Sequence, residues 1–116
     1  MSDDSPGRTE AELYELLQSV WTTYHLVRGT VYAVKRFGMF VDLGIVIPGL
    51  LEFVDAGEYD IEDPLGLKVV AIVAGFARSI PEVKLSARPE HLAQAVHAPP
   101  VPAELLGRPS LFQPAD

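Results

Sequence analysis

The sequence predicts a mainly β domain: a small closed five-stranded barrel, preceded by one amphipathic helix and followed by a proline-rich tail. Three observations carry this. Five short apolar runs lie between residues 27 and 88, separated by bends that glycine and proline mark. A stripe of large apolar residues at helical spacing precedes them. Six of the ten prolines follow them, from Pro89 onward. A chain of 116 residues holds one core. The resulting segments are an acidic, flexible N-terminus over 1–8, the helix within 9–26, the barrel over 27–88, and a short helix with the tail over 89–116.

Thr9-Glu10-Ala11-Glu12 has the form of a capping box, in which hydroxyl and carboxylate each satisfy a free amide at a helix start. Leu13, Leu16, Leu17, Val20, Trp21 and Tyr24 then fall on one stripe. They predict a helix from Glu10 to about Tyr24, with Trp21 and Tyr24 plugging one end of the barrel. The strands are expected at Val27–Val34, Phe37–Leu43, Ile47–Phe53, Leu67–Ala77 and Glu82–Arg88. Pro48 and Pro81 stand at leading edges, where a ladder amide is dispensable. Gly75 suggests a bulge in the longest run. Asp55–Gly66 is acidic and turn-rich, so it reads as a long loop. Closing the strands into a barrel leaves no edge open to aggregation. Pro89 suits the first position of a helix running to Val96, after which His97–Pro102 must be extended.

The net charge of −7 is unevenly spread. Residues 27–88 carry seven basic and eight acidic side chains, but six of the acids lie between Glu52 and Asp63. Outside that segment only Asp42 and Glu82 oppose the seven cations, so part of the barrel is locally positive.

Phe37-Gly38-Met39-Phe40 is the most informative string. A glycine between two rings in an apolar run marks a bulge or a close backbone approach. Two fates are open to these rings. They are core, as phenylalanine usually is, or a bulge turns them to the outer face, where rings stack bases of single-stranded nucleic acid. If Val31 points inward, period-2 alternation turns Tyr32 outward beside them.

Other chemistry finds little support. There is no cysteine, and His25, His91 and His97 have no partner at metal spacing. Asp60, Glu62 and Asp63 lack the rest of a calcium ladder. Ser86 has no readable His-Asp arrangement, and Gly38 and Gly44 stand alone rather than in a phosphate loop. The chain is therefore expected to be non-enzymatic, without cofactor or metal. No run approaches the ~18 apolar residues of a membrane span. The polar N-terminus is unlike a leader, so the cytoplasm is the expected compartment.

In this order the strands resemble an S1-type RNA-binding domain over residues 27–88. The carriers are Gly29-Thr30-Val31, Phe37-Gly38-Met39-Phe40-Val41-Asp42-Leu43-Gly44, Pro48-Gly49-Leu50-Leu51, Lys68-Val69-Val70 and Val83-Lys84-Leu85-Ser86-Ala87-Arg88. The resemblance implies a five-stranded OB-fold barrel that binds single-stranded RNA, or the ribosome, on one face. Position by position, its two aromatics fall on Phe37 and Phe40 and its last-strand cation on Lys84. It departs at Glu52, where the family carries a histidine, and in the turn Ala77–Glu82, about one residue longer, where Glu82 stands near an expected base and Arg78 would compensate. Lys35 and Arg36 would steer the ligand. With stacking worth about 1–3 kcal/mol per base, and with Lys84, Lys35, Arg36 and Arg78 opposed by Glu52 and Glu82, the expected binding is weak, salt-sensitive and sequence-tolerant. The alternative keeps the barrel as a protein-interaction module, with the acidic helix or loop facing a basic partner.

Overall fold

A computed structural model describes residues 8–109. The expected flexible N-terminus, Arg8 apart, and residues 110–116 of the tail lie outside the described residues. Helix α1 spans Glu10–Val20, and strands β1 to β5 span His25–Val34, Gly38–Asp42, Gly49–Glu52, Lys68–Phe76 and Val83–Ser86. A short helix α2 (Pro89–Leu92) and a two-residue strand β6 (Val96–His97) follow. Single 3-10 turns occupy Phe53–Asp55 and Ala103–Leu105.

The strands pair in the order β1-β2-β3-β5-β4, and β4 returns to β1. Closure makes this a five-stranded barrel of the OB type. Inside it, alternate residues of every strand form one core: Val27 and Val31, Met39 and Val41, Leu51, Val69, Ala71 and Val73, Val83 and Leu85. The glycine of the aromatic string sits at a close approach rather than a bulge. A Cβ on Gly38 would lie 2.7 Å from the Cα of Glu52, so only glycine lets β2 run this near β3. The bulge near the rings is instead on β1, where the register shifts between Val31 and Ala33. A second shift, between Val73 and Gly75, is the one Gly75 suggested.

Both ends of the barrel are plugged. At the end holding the β2–β3 and β4–β5 connections, α1 inserts Leu17 and the chain beyond it inserts Trp21. The capping box forms as expected, Thr9 and Glu12 exchanging bonds of 2.9 and 3.1 Å. The helix stops at Val20, short of Tyr24, because Trp21 turns extended to reach the core. A turn then forms in which the Thr22 amide donates to His25 Nδ1 (3.0 Å). Tyr24 takes φ 77° and packs its ring edge-on against His91, so only Trp21 joins the plug. The opposite end is covered by the acidic loop, which buries Ala56 and whose Tyr59 hydroxyl accepts from the Val70 amide (2.7 Å).

The tail departs most from expectation. The helix opened by Pro89 ends at Leu92, and Val96–His97 pairs parallel to the start of β1. The chain then crosses Trp21, whose indole donates to the Pro99 carbonyl (3.3 Å), and buries Leu105 completely. The Val46 amide donates to the Leu105 carbonyl (2.8 Å), tying the tail to the β2–β3 loop. Among the described residues no helix is long and apolar enough to cross a membrane.

Leu17 of α1 is fully buried, in one cluster with the barrel core and with Leu105 of the tail. Replacing it with alanine leaves a cavity at the barrel end, and urea unfolding should show a loss of about 2–5 kcal/mol. A loss below about 1 kcal/mol would mean that the helix is an ornament on a barrel closed without it.

Candidate functional site

Past Thr30, β1 leaves β4 and pairs with β2. Tyr32 is the extra residue of the bulge there, and a bulge bends its strand and re-aims side chains. Its ring comes to 6.3 Å from that of Phe40, tilted by 34°. Val31 points inward and is buried, as the alternation argument required. The half-buried Phe40 lies outside, since its neighbours Met39 and Val41 fill the core.

Across the strands the register lines up Ala33, Phe40, Leu50 and Lys84. Neighbouring strands lie about 4.8 Å apart, so Phe40 and Lys84 stand about 10 Å from each other on one surface. Leu50 between them is the residue that the sequence argument missed. It alternates with the inward-facing Leu51, so it turns outward, and although only 5% exposed it does not belong to the interior core cluster. A leucine inside an apolar run carries no mark of its face; only pairing assigns it.

Phe37, Lys35 and Arg36 form the tip of the β1–β2 hairpin, closed by a bond from the Lys35 amide to the Gly38 carbonyl (2.8 Å). Phe37 is 53% exposed and Arg36 is exposed. Among the described residues the ring that neighbours Phe40 is Tyr32, and no ring contact joins Phe37 to Phe40. Arg78 lies at the other end, in the β4–β5 turn, where it lines a groove with Tyr14, Glu15 and Gln18 of α1. The structure thus gathers Tyr32, Phe40 and Lys84 on one face, sets Lys35, Arg36 and Phe37 at its rim, and leaves Arg78 apart. Helix α1 does not cover the face, because it occupies the end away from the hairpin.

Carboxylates share this surface. Glu52 follows Leu50 by two residues and Glu82 precedes Lys84 by two, which puts both on the outer side. Glu82 is only 6% exposed, and burial raises its carboxyl pKa; the Lys84 ammonium lowers it and the Glu52 carboxylate raises it further. The Tyr32 hydroxyl is pushed up to about 12, first by burial and then by Asp42 and Glu82. Glu82 is held in place through its main chain, whose carbonyl accepts from the Ala77 amide (3.0 Å) and from the Tyr14 hydroxyl (3.1 Å). An apolar floor with two rings, one cation and at least two carboxylates can take flat, uncharged groups. It takes an anion only near Lys84 and the hairpin tip.

Away from this face, Ser86 and His91 meet at 2.6 Å, a pairing that the sequence spacing did not disclose. Ser86 is 1% exposed and its hydroxyl also accepts from the Arg88 amide (3.3 Å), so the contact staples β5 to α2. Arg88 in turn bridges to Asp55 at 2.9 Å. Among the described residues no three potential ligands gather into a metal site.

No family model and no curated protein matches the sequence. Solved structures do match the fold. An uncharacterized protein from Methanocaldococcus jannaschii aligns with a TM-score of 0.52 at 17% identity, over 59% of this chain and 93% of that one. GSP13 from Bacillus subtilis aligns with a TM-score of 0.50 at 20% identity, over 60% of this chain and 58% of its own, so the chain spans just over half of GSP13. At these identities the likeness is one of fold.

The raised pKa of Glu82 has a direct consequence for stability. A carboxyl whose folded pKa lies above its unfolded value destabilises the fold when ionised, and the penalty fades as pH falls through the folded pKa toward the ordinary 4.5. Glu82→Gln should therefore melt above the wild type at pH 7, and the two should converge near pH 4.5. A difference that stays constant across this range in thermal melts would contradict the assignment.

Proposed function

We propose that this chain is a non-catalytic S1-type module that binds single-stranded RNA, free or on the ribosome, in the cytoplasm. The observation that carries the reading is the pair of rings, Tyr32 and Phe40, on the outer face of a closed barrel, in line with Leu50 and Lys84. Bases stack on Phe40 and Tyr32 and rest against Leu50, while Lys84 contacts a phosphate. Phe37 offers a further ring at the hairpin tip, and Lys35 and Arg36 steer the strand toward it. Arg78 joins only if the strand reaches the far end of the barrel.

Magnitudes set the strength. A stacked base is worth about 1–3 kcal/mol, so two or three rings alone give modest affinity. Glu52 and Glu82 repel phosphates beside Lys84, which weakens that contact, and what attraction remains is salt-sensitive. Stacking accepts every base, so sequence preference is slight.

A second reading rests on its own observation. Val54 and Leu65 are 71% and 62% exposed at the ends of the acidic loop, whose Glu58, Asp60, Glu62 and Asp63 are all exposed. Apolar residues beside carboxylates suit a basic protein partner. Recovery of such a partner from lysate, unaffected by nuclease, would favour it over the RNA reading.

Fluorescence anisotropy with a short labelled RNA at low salt tests the first reading. Phe40→Ala should weaken binding about tenfold, and Phe37→Ala with Phe40→Ala further, in keeping with about 1.4 kcal/mol or more per lost stack. Wild-type affinity in the double variant would remove the stacking mechanism.

A further inference from the structure

We infer that the outer surface of β1 and β4 carries a second contact site for the phosphodiester backbone of the same strand. This rests on the RNA reading and extends it to a surface which that reading leaves unused. β1 and β4 pair antiparallel, with Arg28 opposite Val70 and Thr30 opposite Lys68. Val27, Val31 and Val69 fill the interior, so alternation turns Arg28, Thr30, Lys68 and Val70 outward. Arg28 and Lys68 are then diagonal neighbours, about 7–8 Å apart. Both line one open depression of 270 Å³, together with Thr30, Gly29, Val69 and Val70.

Two cations on paired strands meet at this spot. Arg8 pairs with Glu104, Arg88 with Asp55 and Glu90, and Lys84 shares its face with Glu82. Arg28 and Lys68 are exposed and form no ion pair among the described residues. The acid nearest in register is Asp42, opposite Thr30 on the β2 side, and its Oδ1 accepts from the Gly44 amide (2.8 Å). Two neighbouring cations without an ion-pair partner among the described residues thus sit on a protein whose net charge is −7, with Asp42 as the one acid in register beside them.

The shape selects the ligand class. The depression is open and smaller than the clefts that enclose small molecules. Guanidinium, ammonium and hydroxyl donors surround a floor of valine and glycine, which fits a phosphodiester with its sugar better than a compact, fully charged anion. The site also lies along the strand that carries the rings. At about 3.3 Å per residue, Arg28 stands about 13 Å from Tyr32 on β1. An RNA stacked on Tyr32 and Phe40 runs on along β1 and reaches both cations.

Length dependence distinguishes this inference from the reading beneath it. Labelled oligouridines of two nucleotides, enough for the two rings, and of about twelve, within the ~4–16 span of known single-barrel sites, are titrated against wild type and Arg28→Ala with Lys68→Ala. The short oligomer should bind both proteins within twofold. The long one should bind the variant about fivefold or more weakly, with a salt slope lower by about 0.7–1.4, the share of one to two phosphates. Arg28→Lys with Lys68→Arg keeps both charges and should restore most of the slope, which separates charge from disturbed folding. If the variant loses no more affinity for the long oligomer than for the short one, the second site falls while the stacking face stands. If wild type binds neither oligomer, both fall.

Discussion

Two register pairs between short strands, Gly49 with Val83 and Leu50 with Lys84, close the barrel. They join β3 to β5 in parallel, and a further bond from the Val83 amide to the Pro48 carbonyl (2.9 Å) braces the junction. Without them β3 and β5 would both be open edges, with unpaired amides and carbonyls facing water. Closure also settles which side chains face out. Once Leu51, Val83 and Leu85 are committed to the interior, Leu50 and Lys84 have only the outer surface left to them. The same junction therefore supplies the cohesion of the fold and the floor of the candidate site.

The plugs at the two ends leave the lateral surface clear and also shape it. Tyr14 of α1 packs edge-on against Phe76 at 5.9 Å and donates from its hydroxyl to the Ala77 and Glu82 carbonyls. In this way a helix at the far end positions a residue whose carboxyl lies on the ring-bearing face. Burial of that carboxyl beside Lys84 places an acid and a base in mutual influence at the point where a phosphate would arrive. Attraction and repulsion are both written into the surface, and stacking is the contribution that neither cancels. On the function proposed above, such a face would hold flat bases more firmly than charge, and salt would act mainly on how often a strand arrives.

Much of this architecture was legible before any coordinate. The capping box of Thr9 and Glu12 is a local exchange between residues three apart, and it formed as read. The five strands lie where alternation placed them, because burying one side of a strand imposes a period of two on its sequence. Four of the strands came out shorter than their apolar runs, Ile47 for one serving the core from a loop without a ladder, while β1 begins two residues earlier than expected, at His25, where it pairs with β6. The helix limit was missed for a related reason: Trp21 keeps the helical spacing but reaches the core from an extended backbone. The proline-rich tail gave little sign that Leu105 would be buried, because one leucine among prolines has no periodicity to read.

Local chemistry and alternation were enough to specify the barrel, the capped helix and a ring-bearing string on the second strand, since each depends on residues a few positions apart. The faces and neighbours of those residues come from pairings between distant segments. The bulge at Tyr32 sets its ring beside Phe40, and the β3–β5 junction sets Leu50 and Lys84 in line with it. The hairpin carries Phe37 to the rim, and the β4–β5 turn carries Arg78 to the opposite end. Register is a relation between strands, and a one-residue slip would reverse every side chain on one of them. That relation exists only once the barrel has closed, which is why the composition of the site could be read along the chain and its arrangement could not.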